Sequence, residues 1–252
     1  MQEQHRPKIN AIPALVFWLL IWQLASGAMG NILLLPSPLQ VLLRLGRMAV
    51  TADFWQTTVT SIGRILLGVS AATALGVLLA VFTSRFRLLE LLVAPAMTAM
   101  QATPVASFTI LVLIWIDRDF VPVLICGMMV LPVIWNSVST GIRVTDKQLL
   151  EMGKVFRLPV LTRLRRIWIP SVMPFFRSAC SSALGLGWKA GIAAEVLTVP
   201  KASIGRMISE SKLYLLTEEL FAWTLAVVLL SLLLQKLMLA ILKGRGSDAE
   251  AV

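Results

Sequence analysis

Five charged side chains interrupt long apolar runs in this chain: Arg64, Arg177, Lys189, Glu195 and Lys236. A charge at hydrocarbon depth is costly and normally faces a protein interior or a water-filled path. The chemistry open to this set is therefore electrostatic. Lys189 could give positive potential to an anion passing the chain, or pair with another helix, or snorkel outward. Arg177, Lys189 and Glu195 could instead relay protons. Lys189 and Glu195 stand six residues apart, about 9 Å of helical rise on different faces, so they do not form a pair within one helix. Arg64 and Arg177 read as structural. Nothing in the sequence points to bond-breaking chemistry. The single histidine, His5, excludes histidine metal clusters and histidine triads. Gly-x-Ser-x-Gly, His-Glu-x-x-His and Gly-x-x-x-x-Gly-Lys-Ser/Thr are all missing from the sequence. Cys126 and Cys180 fall in different apolar runs and read as packing thiols, not as a disulfide or a metal site. The expectation is a chain with no catalytic residue, no metal and no cofactor of its own.

A second set of residues lies in a basic stretch, Arg143–Pro170, which holds seven basic and two acidic side chains. Thr145 or Asp146 is placed to cap a short helix. Leu149, Met152, Val155 and Phe156 recur at helical spacing and make one apolar stripe. Pro159 is expected to stop this helix. A second short helix then carries Leu161, Leu164, Ile167 and Trp168, with Pro170 ending it. Two uses fit such a stretch. One is an interfacial segment whose cations meet anionic lipid. The other is a surface that docks a partner, with Glu151 offering a carboxylate, or spending it locally on Lys154 three residues on.

The elements that must position these residues follow from composition. Of 252 residues, 58% are hydrophobic and 14% charged, against roughly 25% charged in a soluble domain. Mean hydropathy is +0.83. A soluble enzyme and a disordered chain are excluded, and the expected fold is all-α and polytopic, built of membrane-crossing helices. Six apolar segments stand out, at about 11–28, 56–83, 88–116, 120–141, 171–198 and 219–242. Pro95 and Pro104 predict a kink or break in the third, and Pro122 and Pro132 a kink in the fourth. The first segment has a basic flank without a small-x-small cleavage site and reads as a signal anchor. With both termini placed in the cytoplasm, thirteen basic residues fall inside and six outside, as the positive-inside rule asks. The net charge of +10 thus reports orientation and does not call for a nucleic acid. The expected organisation is a cytoplasmic tail 1–10, one transmembrane domain 11–242 containing the loop 143–170, and a cytoplasmic tail 243–252. Ser178, Ala179, Ser181, Ser182, Gly185, Gly187 and Gly191 suit close helix packing at the centre of the molecule or at a dimer seam.

The loop also carries a register. Glu151, Met152 and Gly153 are followed sixteen residues after Glu151 by Ile167-Trp168-Ile169-Pro170. This resembles the signature loop of ATP-binding cassette (ABC) importer permeases: Glu-Ala-Ala, three residues, Gly, nine residues, Ile-x-Leu-Pro. Met152 stands for the usual Ala and Arg157 for the usual Gly. An arginine disfavours the tight, positive-φ turn that glycine permits there. Leu35-Pro36-Ser37-Pro38 with Gln40-Val41, Thr60-Ser61-Ile62-Gly63-Arg64, and Leu184-Gly185-Leu186-Gly187-Trp188 leading to Ala193-Ala194-Glu195 resemble the nitrate/sulfonate/taurine/bicarbonate branch. The similarity runs from about Leu35 to Leu242. The branch's Pro-x-Pro-Pro is reduced here to Gln101-Ala102-Thr103-Pro104-Val105.

The resemblance implies a type I importer permease fold in a bacterial plasma (inner) membrane, and a chain that forms the path and does no chemistry. ATP and magnesium would belong to a partner ATPase. A coupling helix at about Gln148–Leu158 would dock on that ATPase through Leu149, Glu151, Met152, Gly153, Phe156 and Arg157, with Ile167, Ile169 and Pro170 closing the loop motif. ATP-driven closure would tip the spans from inward-open to outward-open. A solute-binding protein outside, a second permease copy and membrane lipid complete the implied partners. The path would draw on Gln101, Thr103, Pro104, Gly185, Trp188, Lys189 and Glu195. The implied substrate is a small anion or organic solute of the sulfonate, nitrate, taurine or bicarbonate type; related permeases carry vitamin precursors such as thiamine-type pyrimidines. A gradient-driven secondary transporter is the competing class, but it would more often show repeated spans and would not need the loop register.

Overall fold

A computed structural model describes residues 11–31 and 33–244. The expected tail 1–10, with His5, and most of the tail 243–252 lie outside the described residues. The described residues are helical, without strands: α1 (Ala11–Met29), α2 (Pro38–Ala49), α3 (Ala52–Arg85), α4 (Arg87–Ala102), α5 (Val105–Val112), α6 (Val121–Val144), α7 (Lys147–Val155), α8 (Val160–Arg163), α9 (Ile169–Thr198), α10 (Ile204–Leu213) and α11 (Thr217–Gly244). A π-turn, Leu164–Trp168, joins α8 to α9.

Among the described residues, four helical stretches are long and apolar enough to cross a membrane: Ile12–Met29, Ala52–Arg85, Val121–Val144 and Thr217–Ile241. The third expected segment breaks into α4 and α5, bent by 104° across Thr103-Pro104, and counts as a fifth if that pair is one span. The break sits where Pro104 supplies no N–H and holds Thr103 in an extended conformation. The fifth expected segment is α9, 30 residues long. It carries Arg177, Lys189 and Glu195 among many small residues and falls outside that apolar set.

The chain divides into two units. The first comprises residues 1–55 and 207–226. Here the Leu35-Pro-Ser-Pro stretch is a helix start. Ser37 accepts the Gln40 N–H at 3.3 Å, and Gln40 Oε1 accepts the Ser37 N–H at 2.8 Å, a reciprocal capping box with Pro38 in the first turn. Trp22 Nε1 donates to the Pro36 carbonyl at 3.1 Å, Arg44 pairs with Glu219, and the Phe54 and Trp223 rings stack 4.9 Å apart.

The second unit comprises residues 56–206 and 227–252. Its centre is α6 against α9. Small residues make close approach to α9 possible: a Cβ on Gly187 would lie 2.9 Å from both Cys126 Sγ and Val130 Cγ2 of α6, and one on Gly191 would lie 2.7 Å from Ile65 Cγ1 of α3. These two glycines therefore serve packing inside one chain, with no seam to a second copy needed to explain them. Cys126 and Cys180 are both buried and free, as expected of packing thiols. An apolar cluster of Val112, Val121, Ile125, Met129, Ala190 and Ala194 holds α5 to the same core.

Candidate functional site

The basic stretch folds back on itself. Asp146, rather than Thr145, caps α7, its carboxylate accepting the Gln148 N–H at 2.8 Å. Thr145 instead donates its hydroxyl to the Gly141 carbonyl at 3.0 Å. The helix runs Lys147–Val155, within one residue of the Lys147–Phe156 that the apolar spacing predicts and three residues short of the Leu158 that the resemblance implies, because Phe156 and Arg157 already leave it. Arg157 takes a left-handed backbone, φ +48°, and the Leu158 N–H reaches the Gly153 carbonyl at 3.0 Å. This corrects the expectation that an arginine would forgo the turn. The Schellman-type hydrogen bond holds the residue in a conformation that glycine adopts more cheaply. Pro159 follows the stop and does not make it.

Leu149 (41% exposed), Met152 and Phe156 (71% exposed) lie along the outer side of α7, with Val155 beside them. Glu151 is exposed and has no ion-pair partner among the described residues, so its charge is not spent on Lys154. Gly153 points the other way and is buried. A Cβ there would meet Ile167 Cδ1 at 3.2 Å and Arg163 Cδ at 3.3 Å. The small residue early in the motif and the isoleucine near its end are thus in contact, and the spacing between them is the length of chain needed to turn back.

Pro170 does not end the second short helix as expected. The chain passes from α8 through Leu164–Trp168 directly into α9, with the Ile169 N–H donating to the Leu164 carbonyl, and Pro170 sits in the first turn of α9. Wider π-type spacing accommodates a residue without an N–H and keeps the helix unbroken. Ile169 and Pro170 are exposed, while Ile167 is buried.

The expected path residues are not one cluster. Gln101, Thr103 and Pro104 mark the break between α4 and α5, where the Thr103 hydroxyl donates to the Ala99 carbonyl at 2.7 Å. Gln101 and Pro104 are exposed. On α9, Pro174, Ser178, Ser182, Leu186, Lys189, Ala193 and Leu197 form one exposed stripe, and Lys189 is its only charge. Trp188 is buried, its Nε1 donating to the Val227 carbonyl at 3.2 Å. A Cβ on Gly185 would lie 2.9 Å from Gln235 Nε2.

Glu195 is wholly enclosed, at 0% exposed. Its Oε2 accepts the Ser61 hydroxyl at 2.8 Å and the Gly205 N–H at 3.2 Å. The Ile204 N–H donates to Ser61 Oγ at 2.9 Å. Arg64 Nη1 stands 3.8 Å from Glu195 Oε1; its Nη2 reaches Asp119 Oδ1 at 3.1 Å and the Lys201 carbonyl at 2.8 Å. The Lys201 N–H closes the ring on Asp119 at 2.9 Å. Two motifs from the sequence, Ser61–Arg64 and Ala194-Glu195, therefore form one polar cluster that also caps the start of α10. Asp119, Lys201 and Gly205 are further members that sequence reasoning missed. The signal for Gly205 was its glycine alone: a Cβ there would fall 2.3 Å from Glu195 Cβ.

Residues 72–243 match the family described as binding-protein-dependent transport system inner membrane component. A Bacillus subtilis (strain 168) protein named as an aliphatic sulfonates transport permease is 22% identical, over 84% of this chain and 76% of its own length. The taurine transport system permease protein of Escherichia coli (strain K12) is 21% identical, over 85% and 80%. The formylaminopyrimidine transport permease protein of Halalkalibacterium halodurans is 24% identical, over 69% and 70%. The chain belongs to the binding-protein-dependent transport system inner membrane components: it is a multi-pass permease of the bacterial plasma membrane, the transmembrane part of an ABC importer and not an enzyme.

Proposed function

We propose that α7 is the coupling helix through which this permease receives the work of a separate ATPase. The observation that carries the reading is the outward face of α7: three apolar side chains, Leu149, Met152 and Phe156, and a carboxylate, Glu151, with no ion-pair partner among the described residues, displayed together on a helix whose other side is pinned by Gly153 against Ile167. A short helix with an apolar stripe is what a helix-in-groove contact needs. Exposed Arg157 lies at the edge of the same face. Ile167, Ile169 and Pro170 carry the displacement into α9. ATP and magnesium stay with the ATPase, and a binding protein delivers solute on the opposite side. Thirteen basic residues against six support cytoplasmic termini, and with them a cytoplasmic α7. Residues 11–242 act as one permease domain, working as a pair of identical copies in contact with lipid.

The substrate is a small anion or organic solute of the sulfonate, nitrate, taurine or bicarbonate type. Exposed Lys189, the single charge on its stripe of α9, supports an anionic group. The α4–α5 break at Gln101, Thr103 and Pro104 lines the same path. Gly185, Trp188 and Glu195 contribute by shaping its wall. The formylaminopyrimidine relative supports a second reading, a thiamine-type pyrimidine precursor.

The test is co-purification from membranes. The tagged chain retains a stoichiometric ATPase subunit, and Phe156→Asp loses it while still inserting in the membrane. A Phe156→Asp chain that holds its ATPase and transports as before would rule out docking through α7.

A further inference from the structure

At one end of the second unit, residues of α3, α4 and α6 line an open cavity of about 790 Å³. Its mouth holds three arginines, Arg85, Arg87 and Arg143, and one acid, Glu90. Arg143 is paired with Glu90. Arg85 lies over the Phe86 ring at 5.6 Å. Among the described residues, neither Arg85 nor Arg87 has an ion-pair partner. The mouth therefore keeps two uncompensated cations.

Their depth is set by the spans. Arg85 is the last residue of the apolar stretch Ala52–Arg85, and Arg143 is the penultimate residue of Val121–Val144. Charges at the ends of two spans stand at the headgroup layer. From this mouth the cavity continues along one side of α4, past Leu91, Ala94 and Pro95 to Thr98. The eight residue steps from Glu90 to Thr98 rise roughly 12 Å, which leads from headgroup level into the hydrocarbon. The open cavity is cationic and polar at one end, where Thr83 and Ser84 join the arginines, and Leu91, Ala94 and Pro95 form an apolar part of its wall.

We propose that this cavity binds an anionic phospholipid, its phosphate held by Arg85, Arg87 and Arg143 and the start of one acyl chain lying against Leu91, Ala94 and Pro95. A free small anion would use the arginines but leave the apolar wall uncovered; a zwitterionic lipid would use the wall but bring no net charge to the two free cations. Basic pockets between spans select anionic headgroups for this reason. The site is separate from the α7 face and asks nothing of the substrate.

The experiment uses the full chain with its ATPase, purified in mild detergent and titrated with phosphatidylglycerol or phosphatidylcholine of matched chains, with bound lipid counted by native mass spectrometry. Phosphatidylglycerol is retained in preference to phosphatidylcholine. The R85Q/R87Q double variant weakens it about thirtyfold, roughly fivefold for each cation removed at a headgroup layer. Arg85→Lys with Arg87→Lys keeps it. Ala94→Trp, which fills the apolar wall and leaves the arginines in place, expels it. Equal retention of the two lipids overturns the proposal, as does unchanged binding by both R85Q/R87Q and Ala94→Trp. Displacement of phosphatidylglycerol by millimolar inorganic phosphate also overturns it and makes the cavity a free-anion site.

Discussion

The carboxylate of Glu195, at the end of one long helix, accepts the hydroxyl hydrogen of Ser61, 134 residues earlier in the chain, at 2.8 Å. Neither group is exposed. The same carboxylate oxygen takes the Gly205 N–H, so a single acid satisfies a hydroxyl and a helix start and faces Arg64. Glu195→Ala removes the acceptor from all of them and leaves the guanidinium facing an empty wall. Breaking a buried charged network in this way costs about 3 kcal/mol. We expect a clear fall in the thermal midpoint of the detergent-solubilised protein. Glu195→Gln, which keeps an acceptor oxygen, loses less. Equal midpoints for wild type and Glu195→Ala would refute this role.

Gly153 supports a second prediction. Its missing Cβ leaves the space that Ile167 fills at 3.2 Å. Gly153→Leu overpacks that contact at a cost of about 1–3 kcal/mol and turns α7 away from its support. Transport is lost while the protein stays in the membrane. Ile167→Ala added to Gly153→Leu makes room again and restores part of the transport. A double variant no better than the single one would locate the damage elsewhere.

Glu151→Lys tests the outward face without touching the packing. The reversed charge is fully displayed, so the fold is kept and the thermal midpoint is unchanged. ATP-driven uptake in proteoliposomes drops to background. Normal uptake by this variant would remove Glu151 from the contact.

Arg157 and Val199 both hold left-handed backbones, at φ +48° and +49°. A side chain in that region costs roughly 1 kcal/mol relative to glycine. Arg157→Gly and Val199→Gly are each expected to raise the thermal midpoint by a few degrees. The β-branched valine should gain more. Val199→Ile, which keeps the branched side chain, should give no gain.

Lys189 separates the two substrate readings. For an anion, Lys189→Ala raises the half-saturating concentration for uptake about tenfold, the loss of local steering by one exposed charge, and Lys189→Arg restores it. A neutral pyrimidine precursor would show no such dependence on charge.

The apolar segments were legible because hydrophobic runs are written locally, and five of the six matched helices within a few residues. The third was legible only as a proline-disturbed span; the size of its bend depends on how Thr103 and Pro104 meet their neighbours. The register from Glu151 to Pro170 was legible as spacing, and its physical meaning, a glycine packed on an isoleucine, needed coordinates. Asp119 was invisible because its partners, Arg64 and Lys201, lie 55 and 82 residues away. The passage through Pro170 was misread because a proline between two helical patterns ordinarily marks a boundary. A π-turn gives no local signal that would override it.

That turn has a mechanical consequence. With no loop between Val160 and Thr198, the inner loop and the far tip of α9 belong to one continuous rod, roughly 58 Å long at 1.5 Å per residue. Such a rod behaves as a lever arm. A few degrees of rotation imposed beside Gly153 must either move the tip by several ångströms or be absorbed by bending near Pro174. The polar cluster around Glu195 grips that tip, so under the proposed coupling through α7 its strength would set how much of the stroke is transmitted and how much is dissipated along the way.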